Sequence, residues 1–161
     1  MAVTTSAVWD VITQLLVLFR ASSVLAANNV LVVDGPILTD NSRPNMLLVG
    51  GTASDPLSDQ AHADFAQAFG ELGNRARYEE LGITCELWVT DGSTDLATRR
   101  TTAKTLLAEI ESLLRTNYGL TVAALLWAHI TSAQIRQIQN DNGSAVVVTF
   151  VISARARLAT Q

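Results

Sequence analysis

The fold of this chain is decided by residues 120–158, LTVAALLWAHITSAQIRQIQNDNGSAVVVTFVISARARL. Asn142-Gly143 predicts a two-residue hairpin turn, because a type I′ turn needs a positive φ at both central positions. Apolar residues alternate with the others over 146–158, and they alternate in the same way over 122–130. Alternation of this length predicts a long antiparallel ribbon with one face in a core. The alternation is lost near Ala133, which indicates a β-bulge.

The composition is that of one domain, residues 1–161, with little surface charge. Only 16% of the residues are charged, the mean hydropathy is +0.26 and the net charge is −4. Soluble domains carry about 25% charged residues, so we expect some apolar surface to be covered by other copies or partners. No run of Lys or Arg is present, which argues against tight binding to a phosphate backbone. The single cysteine, Cys85, allows no internal disulfide.

The periodicity outside the hairpin predicts helices and short strands. Together they predict an α+β fold, an antiparallel or mixed sheet of about five strands with a long C-terminal hairpin and two main helices packed on the sheet. The predicted elements before the hairpin are a helix capped by Ser6, strands at 30–33 and 46–49, a short helix within 59–69, a half-buried strand over 76–90 and a helix capped by Ser93 or Thr94.

Two groups of residues are candidate interface residues. Alternation places Trp88, Leu125 and Trp127 on the outer face of the sheet, where they need a cover, either a helix or another subunit. Arg155 and Arg157 lie on one strand face, which suits contact with acidic neighbours across an interface, although surface charge is the plainer interpretation.

A polar stretch separates the second strand from the following segment. Residues 52–63 are rich in Ser, Thr and Asp and contain a proline. This composition is typical of a loop that orders against a partner. The expected partner-contact residues at its centre are Asp55, Pro56, Leu57, Ser58 and Asp59.

Few residues suggest chemistry. Asp91, Ser93 and Asp95 follow a strand and resemble the D-x-S-x-S metal motif of adhesion domains, but a capping turn explains them better. Cys85 lies in an apolar strand row and is expected in the core. His129 is expected to be a packed or interface histidine. We therefore expect no catalytic residues, no cofactor and no metal site.

Several stretches, taken in order, resemble the tail terminator (tail-completion) proteins of long-tailed actinobacterial phages. The resemblance covers roughly residues 8–158, and its motifs are structural. The motifs are VDGP at 33–36, LLVG at 47–50, GNRAR at 73–77, ELGITC at 80–85, DGSTD at 91–95 with Arg99-Arg100, GSA at 143–145 and ARAR at 154–157.

The resemblance implies a structural virion protein without enzymatic activity. Such proteins form a homohexameric ring on the head-proximal end of the tail tube, stop its polymerisation and offer a surface to the head-completion protein of the neck. Genomic DNA would pass through the lumen without specific binding, and we expect acidic groups such as Glu79, Glu86 or Asp95 to lie nearer this channel than Arg155 and Arg157.

The expected location is the virion tail after assembly in the host cytoplasm, with no membrane. Residues 11–19 are apolar but too short to span a bilayer, and no basic segment precedes them. The open alternatives are another neck or tail component, such as a head-completion adaptor or a tube subunit, and a metal-dependent adhesion module using Asp91, Ser93 and Asp95.

Overall fold

A mixed sheet of six strands organises the computed structural model, which describes residues 5–36, 45–53, 63–69, 77–92, 94–140 and 143–158. The α+β class predicted from the sequence is confirmed. The helices are α1 (Val8–Arg20), α2 (Ser23–Ala27) and α3 (Leu96–Thr116). The strands are β1 (Val30–Asp34), β2 (Asn45–Val49), β3 (Ala63–Phe69), β4 (Arg77–Asp91), β5 (Leu125–Asn140) and β6 (Gly143–Leu158).

The centre of the sheet is the antiparallel pair of β4 and β6. Their register runs from Arg77 opposite Leu158 to Asp91 opposite Ser144. The strand order is β1-β2-β4-β6-β5. Strands β3 and β2 pair with the same edge of β4, β3 along the first half of β4 and β2 along its second half. Only β1 and β2 are parallel. The sheet therefore has two long sides, one formed by β5 and the other shared by β3 and β1.

All three helices pack on one face of the sheet, which we call the helix face. Alternate residues of β4 and β6 enter a single core there with the buried stripes of α1 and α3. The largest side chains without exposure include Phe19, Leu87, Ile110 and Phe150. The other face, called the open face below, carries the remaining residues of each strand.

Buried Glu79 attaches the start of α1 to the sheet. The helix has no side-chain cap of its own, because Ser6 accepts only from the nearby Val8 N–H and the N-cap position is Ala7. Glu79 Oε2 accepts the Ala7 N–H at 2.7 Å, and its Oε1 accepts from Gln67 of β3 at 2.8 Å. A carboxylate at a helix N-terminus is favoured by the helix dipole. The predicted Ser6 cap was wrong, and a residue 72 positions away takes its place.

Three local predictions differ from the structure. Residues 63–69 form strand β3 instead of the predicted short helix. Gly143 belongs to strand β6, where it pairs with Asn140, instead of being a central residue of the predicted turn, and Asn142 lies outside the described residues. The bulges in β5 lie between Leu125 and Trp127 and between Ile130 and Ser132, slightly before the predicted position.

Candidate functional site

The predicted outer-face patch is divided by the first bulge of β5. Trp88 lies half-buried on the open face, and Trp127, opposite Arg155, lies there as well. Leu125 is buried in the core with 8% exposure, opposite Ala156. Its predicted place on the outer face was wrong, because the bulge inserts one residue and reverses the alternation between Leu125 and Trp127. Leu125 is therefore unavailable as a surface residue, while the interface roles of Trp88 and Trp127 stay predictions.

A buried carboxylate lies at the centre of the open face. Glu86 has no exposed surface, and four donors surround its two oxygens. Oε2 accepts from Trp88 Nε1 and from the Ala53 N–H, both at 2.7 Å. Oε1 accepts from Arg136 Nη2 and Thr149 Oγ1, both at 3.0 Å. The cluster joins four segments of the chain, and the half-exposed guanidinium of Arg136 together with three further donors satisfies this buried carboxyl group.

Arg155 already has partners within its own chain. Its Nε lies 3.1 Å from Glu80 Oε1, and its guanidinium carbon lies 4.7 Å above the ring centre of Tyr78. Arg157, two residues on, is exposed on the same face. The Arg155 side chain is 41% exposed, so these contacts hold it in place without hiding it. The interface role of both arginines remains a prediction.

The aspartates of the adhesion-like motif are used locally. Asp95 is the N-cap of α3 and accepts the Thr98 N–H at 3.1 Å, so the cap is Asp95 and not Ser93 or Thr94 as predicted. Hydrogen bonds from the Thr98 side chain and backbone lower the pKa of Asp95 below its usual value. Asp91 forms an ion pair with Arg99 at 2.9 Å, and Ser93 lies outside the described residues. Within the described ranges, no group of three or more His, Cys, Asp or Glu side chains has the arrangement of a metal site.

Cys85 and His129 occupy different environments. Cys85 is fully buried in the core, and burial raises the pKa of its thiol to about 12, so it stays protonated. This confirms its predicted core position. His129 is exposed and packs at a tilt on Trp127, with 4.7 Å between the ring centroids. Its position beside Trp127 agrees with the predicted packing of this histidine.

The second half of β5 is the least covered part of the sheet, and the sequence interpretation did not nominate it. Residues 131–139 are exposed on both faces, including Ile135 at 61% and Ile138 at 45%. Between β5 and α3 lies a groove of about 510 Å³. Its apolar lining residues include Ala103, Leu107, Ile135, Val146 and Val148, and its charged ones are Arg100, Lys104 and Glu111. The two isoleucines, which depart from the earlier alternation, were the available signal.

A second uncovered strand lies on the opposite side of the sheet. Six of the seven residues of β3 are exposed, with Phe65 at 52% and Phe69 at 79%. Both phenyl rings are on the helix face, because Phe65 lies opposite Leu81 and Phe69 opposite Arg77 on β4. The predicted partner-contact residues Asp55, Pro56, Leu57, Ser58 and Asp59 lie outside the described residues, so their role stays a prediction.

The comparisons with known proteins define the fold class of this chain. No protein-family model matches the sequence, and no curated protein matches it either. Among solved structures, a chain from the virion of a native gene transfer agent particle is similar, with a TM-score of 0.62 and 16% sequence identity. The similarity covers 95% of this chain and 99% of that one. The two chains therefore share a fold over nearly their whole lengths.

None of the three helices in the described residues is long and apolar enough to cross a membrane.

Proposed function

We propose that this chain is a structural virion protein that caps the head-proximal end of a phage tail tube as a homo-oligomeric ring. The observation that carries the proposal is the similarity, over almost the whole of both chains, to a chain of a gene transfer agent virion. Because the match covers 95% of this chain, it concerns the whole domain and not one shared hairpin. The resemblance of the sequence motifs to tail terminators supports the finer assignment to the tail end.

The distribution of exposed apolar side chains supports assembly with other subunits. Four apolar side chains at the two sides of the sheet are each more than 44% exposed in the isolated chain. They are Phe65 and Phe69 on one side and Ile135 and Ile138 on the other. Long exposed edge strands are normally covered or interrupted by charge, because they otherwise pair with other chains. A ring of six copies would cover such strands, end tube polymerisation and leave one surface for the head-completion protein of the neck.

The charge of the chain suits a ring through which genomic DNA passes without specific binding. The net charge is −4, and a weakly acidic wall repels phosphate. The expectation that Glu79, Glu86 or Asp95 lies nearer this channel than Arg155 and Arg157 stays a prediction. The carboxylates of Glu79 and Glu86 are buried and bonded to neighbouring groups, so they present no exposed charge in the isolated chain. Exposed acidic residues such as Asp95 would have to supply this charge.

Arg155 and Arg157 are proposed to tie neighbouring subunits or rings together. Arg155 has a half-exposed guanidinium held by Glu80 and Tyr78, and Arg157 beside it is exposed. The double variant Arg155→Ala, Arg157→Ala should stay folded but lose its rings, or form rings that no longer cap tubes. If this variant assembles and caps like the parent, the two arginines are ordinary surface charges.

The direct test is to polymerise the cognate tail-tube protein with and without this chain. We expect substoichiometric amounts to shorten the tubes, with rings visible at one end by negative-stain electron microscopy. Mass photometry of the chain alone should give a species of about six times 17.3 kDa. Tubes built from this chain itself would indicate a tube subunit instead, and rings that bind only the portal side would indicate a head-completion adaptor. Unchanged tube lengths at excess chain would contradict capping.

A further inference from the structure

The long side of the sheet formed by β5 has an unpaired edge. In the described part of the chain, β5 pairs with β6 alone, so the backbone groups on its other edge have no strand partner. Residues 131–139 would extend for about 30 Å at the rise of an antiparallel strand. Ile135 lies on the helix face opposite Val148, beside the apolar groove under α3, and Arg136 lies on the open face opposite Val147.

The opposite side of the sheet carries a second unpaired edge on β3, which pairs only with β4 among the described strands. Phe65 and Phe69 lie on the helix face, and Asp64 lies on the open face opposite Gly82. The strand is held in position through Gln67, which bonds to Glu79 at 2.8 Å and to the Thr5 carbonyl at 3.0 Å. These two hydrogen bonds tie β3 to β4 and to the residues before α1.

The two edges match in chemistry face by face. On the helix face, the phenyl rings of β3 correspond to Ile135 and its groove on β5, so apolar surface would meet apolar surface. On the open face, the one acidic residue of β3, Asp64, corresponds to the one basic residue of the segment 131–139, Arg136. The Arg136 side chain stays 46% exposed despite its bond to Glu86. Two edges of one sheet that match in this way suit two copies of the same chain.

We propose that the β3 edge of one copy pairs with residues 131–139 of β5 in the next copy, which joins their sheets. Main-chain hydrogen bonds supply the continuity, and a phenyl ring of β3 enters the groove between α3 and β5 of the neighbour. The contact uses different surfaces on the two copies, so it is heterologous and generates a ring when the rotation closes. This inference rests on the proposed ring and names the surfaces that build it.

Two variants with opposite defects test the pairing. The β3 variant is Phe65→Lys with Phe69→Lys, and the β5 variant is Ile135→Lys; all three side chains are more than half exposed, so the fold should be preserved. The control is Val17→Lys, an equally exposed apolar residue of α1 outside both edges. Circular dichroism and thermal melting check each variant, and glutamine replaces lysine at any position where the lysine variant does not fold.

The expected result comes from mixing the two edge variants. Each alone should be a monomer of 17.3 kDa, whereas the control should form the same rings as the parent. Mixed in equal amounts, the edge variants should form a heterodimer that cannot grow, because the mixture contains only one intact pair of complementary edges. Mass photometry or sedimentation gives the masses.

Three outcomes would overturn the inference. If the edge variants still form rings, the ring uses other surfaces, and the proposed function stands without this interface. If only the β5 variant loses assembly and the parent is a dimer, two β5 edges pair with each other instead. If the two edge variants are monomers but their mixture contains no dimer, the edges do not meet. A parent that stays monomeric, even with the tube protein present, contradicts the proposed function itself.

Discussion

Replacing Glu86 tests whether the buried carboxylate cluster holds the open face together. Glu86→Ala removes the acceptor of four donors, two of which belong to Trp88 and Ala53. Glu80→Ala is the matched control, because Glu80 lies on the same strand and face and also contacts an arginine, at 3.1 Å, but its side chain is 55% exposed. Both variants lose one carboxylate of β4, and only the burial and the number of donors differ.

The magnitude follows from the donors left without an acceptor. Each donor that loses its partner away from water costs about 1–3 kcal/mol, so the part-buried Trp88 and Ala53 N–H groups together give a loss of about 2–6 kcal/mol in the free energy of unfolding. Arg136 adds little, because its half-exposed guanidinium is hydrated once Glu86 is gone. Glu80→Ala should cost only about 0–1 kcal/mol, as expected for an exposed ion pair.

Urea unfolding followed by tryptophan fluorescence measures these differences. For a domain of this size, where 1 kcal/mol shifts the melting temperature by about 2–4 °C, the Glu86→Ala loss corresponds to a fall of about 4–24 °C. Glu86→Gln should fall between the two alanine variants, because the Thr149 hydroxyl is able to rotate and accept from the new amide. Equal losses for Glu86→Ala and Glu80→Ala would refute the reasoning, since they would mean that water replaces the carboxylate without cost.

Three further predictions concern single positions. Leu125→Ala should lower the free energy of unfolding by about 2–5 kcal/mol in urea, whereas Leu126→Ala, at the neighbouring exposed position, should change it by less than about 0.5 kcal/mol. Equal effects would contradict the bulge. Cys85 should react with a thiol reagent at pH 8 only after unfolding, because burial raises the pKa of its thiol to about 12. The free energy of unfolding should also fall above pH 9, which is the pKa of the thiol in the unfolded chain, because only the unfolded thiol ionises there. Rapid labelling of the native chain would contradict this burial. Asp95→Ala should melt at a lower temperature than Asp95→Asn, which keeps the cap. Because the pKa of Asp95 is lowered in the folded chain, the parent's advantage over the alanine variant should decrease as the pH falls below 3.8, the unfolded value, and on through the folded value. Equal melting of Asp95→Ala and Asp95→Asn at neutral pH would contradict a capping role.

The long amphipathic elements were predictable because their periodicity and their burial agree. The alternation of β4 and β6 and the apolar stripe of α3 each correspond to residues that enter the core. Residues 63–69 were not predictable in this way. Phe65 and Phe69 are four positions apart, as on one side of a helix, but both are exposed in β3 and neither contributes a core stripe. Their state is decided by pairing with residues 77–83 of β4, which no local pattern records.

The candidate site was predictable only where side chains act locally. The prediction that a capping turn precedes α3 held, because an N-cap depends on neighbours within three residues, although the capping residue is Asp95. The Glu86 cluster was missed, since Arg136 and Thr149 lie 50 and 63 positions away along the chain. Leu125 was assigned to the wrong face because a bulge is set by the register with β6. Edge exposure of β5 also depends on strand order, which alternation does not give.

The pairing of β4 with β6 has a consequence for the rate of folding. Asn140 of β5 pairs with Gly143 of β6, so the ribbon of these two strands begins with local contacts that form in about 1–10 μs. The pair at the centre of the sheet instead joins Arg77 to Leu158 and Asp91 to Ser144, with all of α3 in the intervening chain. Sheets closed by such distant pairings fold in roughly milliseconds to seconds. Throughout that interval β6 has one unpaired edge. Pairing with β4 of the same chain gives the native subunit. Pairing with β4 of another chain, which high concentration favours, gives a domain-swapped dimer.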